Sequence, residues 1–254
     1  MTVLLDAGAI ETAMDRLYAH QLAPGYARAR SELMAALEAL LPASLEPMLK
    51  VGEHRLQELS NAPQDVDRIN HGLHLLFDFF EGRRLVQIRP LIERALQNKL
   101  FNMKEPYIQA LGELGDPASS APLAALLSLH RSNSIQDEGI RATVLGVLAG
   151  YFPALADPSP VIDRLADESP RVRREALRYL SVHSGDNAGS SLAARVRDED
   201  DPDLLAEVLA LLAQADRAQA LAVAEARLAS TPAYEKEIIE QLQSSLRELR
   251  VQPH

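Results

Sequence analysis

A hydrophobic triplet at helical spacing returns every 32 to 37 residues along this chain, and few folds can satisfy such a pattern. Between Asp167 and Leu180, the residues Val172, Ala176 and Leu180 fall at i, i+4 and i+8, one face of an α-helix. Thirty-two residues on stand Leu204, Val208 and Leu212; thirty-two back stand Ile140, Val144 and Leu148, with Arg141 placed as Arg173 is. Steps of 34 reach Ile238, Leu242 and Leu246 in one direction and Pro106, Ala110 and Leu114 in the other. Steps of 37 and 36 then reach Ile69, Leu73 and Phe77, and Leu33, Leu37 and Leu41. A second amphipathic segment lies between triplets, at 45–59, 88–97, 123–130, 161–166, 192–197 and 218–228, preceded by 9–20. A two-helix unit of this length cannot bury both apolar faces alone, so stacked neighbours complete the core. The expected fold is all-α, an α/α superhelix (α-solenoid) of about seven helix pairs. It forms one domain over 1–254, with regular repeats over 101–254 and divergent repeats or a cap over 1–100.

Turn residues support the same frame. Ser159-Pro160, Ser169-Pro170, Asp201-Pro202 and Thr231-Pro232 each read as an N-cap followed by proline at the first helical position, where a missing N–H costs nothing. Asp116-Pro117 and Glu105-Pro106 are read the same way, and Gly115, Gly150 and Gly185 as helix stops. Leu and Ala dominate the apolar residues while aromatics are 4% and Trp is absent, which favours helices over strands. The period also suits tetratricopeptide or ankyrin repeats, but neither the Trp/Gly/Tyr pattern of the first nor the Thr-Pro-Leu-His signature of the second is present.

The run Asp167…Pro170-Arg171-Val172-Arg173…Ala176…Leu180 resembles the HEAT repeat, in particular the short form found in HEAT proteins of the phycobilisome-lyase type. Leu111-Gly112-Glu113-Leu114-Gly115-Asp116-Pro117 resembles the turn that follows such a helix. The resemblance extends over about residues 104–246. It implies that the second helix of each pair lines a concave face, the usual binding side. It implies little about activity, because the same repeat serves scaffolds, adaptors and some enzymes.

With 100° per residue, the stripe Val172/Ala176/Leu180 places Arg171, Arg174 and Arg178 together on the opposite side of the helix. The same offsets give Arg68 and His71, Ala142 and Gly146, and Asp203 and Ala206 in neighbouring units. Two readings follow: small residues that let helices crowd beside a solvated row of arginines, or a groove whose arginines pair with a partner's carboxylates or phosphates. The candidate partner-binding residues are these nine.

Other groupings are weaker. The run from Asp198 to Asp203 lacks the Gly and spaced ligands of a Ca²⁺ loop and reads as a solvated turn capped by Asp201. His71, His74 and Asp78 share a helix face, a conceivable metal triplet with His54, set against a plain polar face. Phe77, Phe79 and Phe80 read as core.

No catalytic, cofactor or metal signature is present, so no cofactor is expected. The absence of cysteine removes thiolate nucleophiles, disulfides and Cys-ligated zinc. A net charge of −10, with −2 over 1–100 and −8 over 101–254, disfavours a phosphate backbone as partner. Deoxyhypusine hydroxylases carry His-Glu pairs, and this chain has only the reversed Glu53-His54. HEAT-like DNA glycosylases need a basic, aromatic groove, which a Trp-free acidic chain lacks. No compact motif defines a bilin lyase, so the residues leave that alternative open. The amino terminus has no basic region or long apolar stretch, and no run is long enough to span a membrane, which makes a cytoplasmic protein the expectation. The reading is a non-catalytic scaffold or adaptor for a protein or peptide. The alternatives are an enzyme or enzyme subunit of the lyase type, and a regulator that binds a phosphate-bearing ligand through Arg171, Arg174 and Arg178.

Overall fold

Each periodic segment of the sequence falls on a helix, except that Leu41, expected as the last anchor of its triplet, lies in the turn after the helix that carries Leu33 and Leu37 and is not buried. The structure, a computed structural model, describes residues 6–61, 63–81, 83, 86–183 and 188–251. Among these residues are fourteen α-helices and no strand, so the all-α expectation holds. The chain divides into two compact units, with the boundary between Ser119 and Ser120. No helix among the described residues is long and apolar enough to cross a membrane.

The first unit contains α1 (Ala7–Ala19), α2 (Tyr26–Ala39), α3 (Leu45–Asn61), α4 (Val66–Glu81), α5 (Arg89–Gln97) and α6 (Lys104–Leu114). Helix α1 packs against α3 and α4 and buries Ile10, Met14 and Leu17. Helix α4 is its centre: Ile69, Leu73, Leu76 and Phe77 have no exposed surface, and Phe79 and Phe80 almost none. The aromatic run is core, as its spacing implied. Helices α3 and α5 approach so closely that a methyl group on Gly52 would overlap Leu91.

The second unit contains α7 (Ser120–Leu129), α8 (Ile135–Tyr151), the short α9 (Ser159–Ile162) with a 3₁₀ turn over Asp163–Ala166, and α10 (Pro170–Val182). It continues with α11 (Gly189–Asp198), α12 (Pro202–Ala215), α13 (Arg217–Ser230) and α14 (Lys236–Val251). Two rows of helices are present within this unit. Helices α8, α10, α12 and α14 pack each on the next, while α7 meets α9 and α11 meets α13 behind them. The triplets of α8, α10, α12 and α14 are all buried, none more than 6% exposed. Each such side chain contributes about 1.5–3 kcal/mol relative to exposure, which makes this stripe the main adhesive between helices.

Buried cations close the turns. Arg141 is 2% exposed and donates to the carbonyls of His130 (3.2 Å) and Ser132 (2.8 Å), while its Nε and Nη2 meet the Asp167 carboxylate at 2.8 and 2.9 Å. Arg173, thirty-two residues on, repeats the arrangement. It donates to the carbonyls of Asp167 and Glu168 at 3.0 Å and to both oxygens of Glu199 at 2.9 and 2.6 Å. Each guanidinium therefore satisfies carbonyls before its own helix and a carboxylate before the next one in the row. In the first unit, buried Lys104 has an analogous role, donating to the carbonyls of Leu96 and Asn98 at 2.6 and 2.8 Å. Asn70 ties Val66 and Leu100 at 3.0 Å each. Buried charges are tolerated here because their donors are used and paired.

The expected helix ends are partly met. Ser169 accepts from the Val172 N–H and Asp201 from those of Asp203 and Leu204, so both act as caps. Asp116 accepts from Ala118 at the start of a 3₁₀ turn, and Gly115 closes α6 with φ of 70°. Others differ. Ser159 is inside α9, with Asp157 receiving its N–H. Thr231 closes α13 by donating to the Arg227 carbonyl, and α14 starts only at Lys236. Helix α6 starts at Lys104 behind a left-handed Met103, so Pro106 lies inside it rather than at its first position. Helix α8 continues through Gly150 to Tyr151 and ends where Phe152 precedes Pro153, a residue pair that rejects helical backbone. Gly185 lies outside the described residues. In α6 the buried residues are Lys104, Tyr107, Ile108, Leu111 and Gly112; of the expected set, Pro106 is exposed and Ala110 and Leu114 are only half-buried.

Candidate functional site

Helix α10 is capped by Ser169, opened by Pro170, and held by Val172, Ala176 and Leu180 on its buried side. That fixes its rotation, and Arg171, Arg174 and Arg178 all face solvent. Arg174 Nε lies 3.4 Å from Glu207 of α12, with both side chains about half exposed. Arg178 lies 3.5 Å from Glu175, one turn away on its own helix, and Arg171 forms no ion pair among the described residues. The half-exposed pair of Arg174 with Glu207 stabilises by only about 0–1 kcal/mol, so an incoming anion can exchange with it.

Glu207 joins this row to a groove of about 590 Å³ between α12 and α14. Ala206, Ala210 and Ala213 line it from α12. Gln241, Ser245, Glu248 and Leu249 line it from α14, and the Arg217 side chain, which donates to the Leu249 carbonyl, lines it as well. Ala206 thus borders an open surface. Asp203 is also exposed but lines a different cavity of about 670 Å³, shared with Glu168, Asp200, Asp201 and Glu237.

The remaining expected positions do not join an open wall. Ala142 is 3% exposed and packed into the core. A methyl on Gly146 would stand 3.2 Å from the Glu175 carboxylate, so the missing side chain makes room for Glu175. Arg68 is engaged in the first unit by Asp15 at 3.2 Å, Glu58 at 3.1 Å and Asp65 at 3.4 Å. Asp15 and Glu58 also flank Arg55, which has no exposed surface and meets Asp15 at 2.7 Å and Glu11 at 3.1 Å.

His71 and His74 share a face of α4 but point to different partners. His71 Nε2 meets the Tyr26 hydroxyl at 2.8 Å. His74 meets the Tyr107 hydroxyl at 2.6 Å and Asn102 Oδ1 at 2.7 Å. Asp78 accepts from Tyr107 at 3.2 Å and from Arg30 at 2.8 Å. Burial, and then His74, Arg30 and Arg55, hold the His71 pKa below the ordinary histidine value. Burial and the adjacent Asp78 push the Tyr107 phenol up. These side chains form a hydrogen-bonded polar seam joining α2, α4 and α6. His54 stands apart, 3.0 Å from Glu11. Glu11, His54 and Glu58 are the one grouping among the described residues whose ligand atoms converge enough to hold a metal ion. Arg55 and Arg68 already engage those two carboxylates, an arrangement that neutralises the buried guanidinium.

Sequence reasoning missed the burial of Arg141 and Arg173 and the role of Glu199, which has no exposed surface and accepts from Arg173 and Arg195. The run from Asp198 is therefore only partly a solvated turn. A signal was present: each arginine directly follows a triplet anchor, and each has a carboxylate 26 residues on, Asp167 and Glu199. No family model, no curated protein and no solved structure matches the chain.

Proposed function

We propose that the chain is a HEAT-type α-solenoid, cytoplasmic and non-catalytic, that grips a protein or peptide partner on the face carrying Arg171, Arg174 and Arg178. The observation that carries it is the row of three exposed arginines on one rigid helix, beside a groove in the same unit. The row-on-row packing of α8, α10, α12 and α14, with buried triplets in a 32-residue step from α8 to α12, supports the repeat assignment. Planar guanidinium forks at fixed spacing suit recognition of carboxylates, and all three arginines keep an exposed side chain, with Arg174 only loosely paired to Glu207.

The test is affinity capture from the native host at low and moderate salt, followed by reconstitution with the purified partner. Arg174→Glu/Arg178→Glu is the comparison. The full chain is expected to hold a stoichiometric protein that the doubly reversed variant loses, with helicity unchanged. Equal capture by both forms removes the arginine row from the site.

A further inference from the structure

We propose that the partner's docking element is an acidic amphipathic helix, its carboxylates on the α10 arginine row and its apolar side in the α12–α14 groove. This rests on the reading of the arginine face given above and names what it grips.

Spacing is the first argument. Arg171 and Arg178 are seven residues apart on a straight helix, a rise of about 10 Å, with Arg174 between them. A single phosphate or free carboxylate spans too little to engage all three and can be held by at most two of the guanidiniums. A ligand that uses the whole row must present anions one turn apart over two turns. Acidic side chains at i, i+3 and i+7 of a helix do this, because they share one face.

The groove is the second argument. Ala206, Ala210 and Ala213 recur at i, i+4 and i+7 on α12 as a strip of methyl groups between Glu207 and Gln214, faced by Ser245 and Leu249 of α14. Helix axes approach to about 8–10 Å only when contact residues are small, so this floor admits an incoming helix and its apolar stripe. Charge decides against nucleic acid. Glu207 and Glu248 border the groove with only Arg217 opposing them, which repels a continuous phosphate backbone. A helix can place its carboxylates on the arginines and its apolar side over these walls. Arg174 and Glu207 mark the seam, since one side chain belongs to the row and the other to the groove.

The test is selection from a helix-constrained peptide library on the full chain, with binding of the enriched peptides then measured by anisotropy. Enriched sequences are expected to carry Asp or Glu at i, i+3 or i+4, and i+7, with apolar residues on the adjoining face. Arg174→Glu is expected to weaken them by about tenfold or more through charge repulsion. Ala210→Trp, at an exposed position that does not disturb the core, is expected to do the same by filling the groove. Inorganic phosphate is expected to compete poorly. No enrichment, enrichment without the acidic pattern, or binding indifferent to Ala210→Trp overturns the helix assignment. If the host partner is nevertheless lost on reversing Arg174 and Arg178, the arginine face stands and only its occupant is wrong. If an acidic helix binds both Arg174→Glu and the wild type equally, the face itself is wrong.

Discussion

Two arginines that are neighbours in sequence, Arg173 and Arg174, occupy opposite environments. The first is 5% exposed, with its donors on Glu199 and two carbonyls; the second is about half exposed and loosely paired with Glu207. Removing Arg173 leaves the buried Glu199 with Arg195 as its one remaining cation and takes the donor from the Asp167 and Glu168 carbonyls, so Arg173→Ala is expected to cost about 3–5 kcal/mol in urea unfolding. Arg174→Ala is expected to cost about 0–1 kcal/mol, the range of an exposed pair. Similar losses for the two variants would contradict this division between structure and surface. His71 gives a second test at this scale. Its folded pKa is depressed, so below the ordinary histidine value the unfolded chain binds more protons than the folded one. Stability is then complete above that value and is lost as pH falls from it toward the folded pKa. His71→Gln is expected to flatten the decline between neutral and mildly acidic pH, and an unchanged slope would show that His71 does not contribute it.

Helices in this chain are held by what lies beside them as much as by their own apolar stripes. Helix α1 shows this best. It buries Ile10, Met14 and Leu17, and it also supplies Glu11 and Asp15, two of the carboxylates that neutralise the fully buried Arg55. Deleting residues 1–22 therefore exposes an apolar face and strips a buried cation in one step. The truncated chain is expected to aggregate or lose cooperative unfolding, as read by light scattering and a thermal melt. A soluble truncation with a sharp transition would show that α1 is dispensable. Helix ends were legible where a side chain does the capping locally, at Ser169 and Asp201. They were misread where the cause lies elsewhere. Thr231 has the sequence of an N-cap, yet its hydroxyl turns back to the helix before it, and Gly150 continues a helix that the Phe152-Pro153 pair ends.

Across the whole chain, the period located most of the buried stripes. In the second unit steps of 32 and 34 residues placed Ile140, Val172, Leu204 and Ile238 in the core with their partners. The other step of 34, back from Ile140 into α6, missed, although the step of 37 beyond it landed on Ile69, Leu73 and Phe77, all fully buried. In α6 the loop knitted by Asn70, Asn98 and Lys104 sets where the helix starts, and Tyr107, Ile108 and Leu111 are buried in place of the expected set. The rotation of α10, and so the exposure of Arg171, Arg174 and Arg178, was readable because it depends only on the buried stripe. The small-residue wall was not, because exposure at Ala142 and Gly146 depends on the residues that pack over them, such as Glu175. The Arg141–Asp167 and Arg173–Glu199 links carry a consequence for assembly. An apolar stripe alone tolerates slippage, since a helix displaced by one turn meets its neighbour with much the same greasy face. A buried guanidinium that must meet a buried carboxylate 26 residues on does not, for a displaced arrangement parts two charges in the dry interior. The ladder thus acts as a check on alignment, rejecting mis-stacked arrangements that hydrophobic contact by itself would accept.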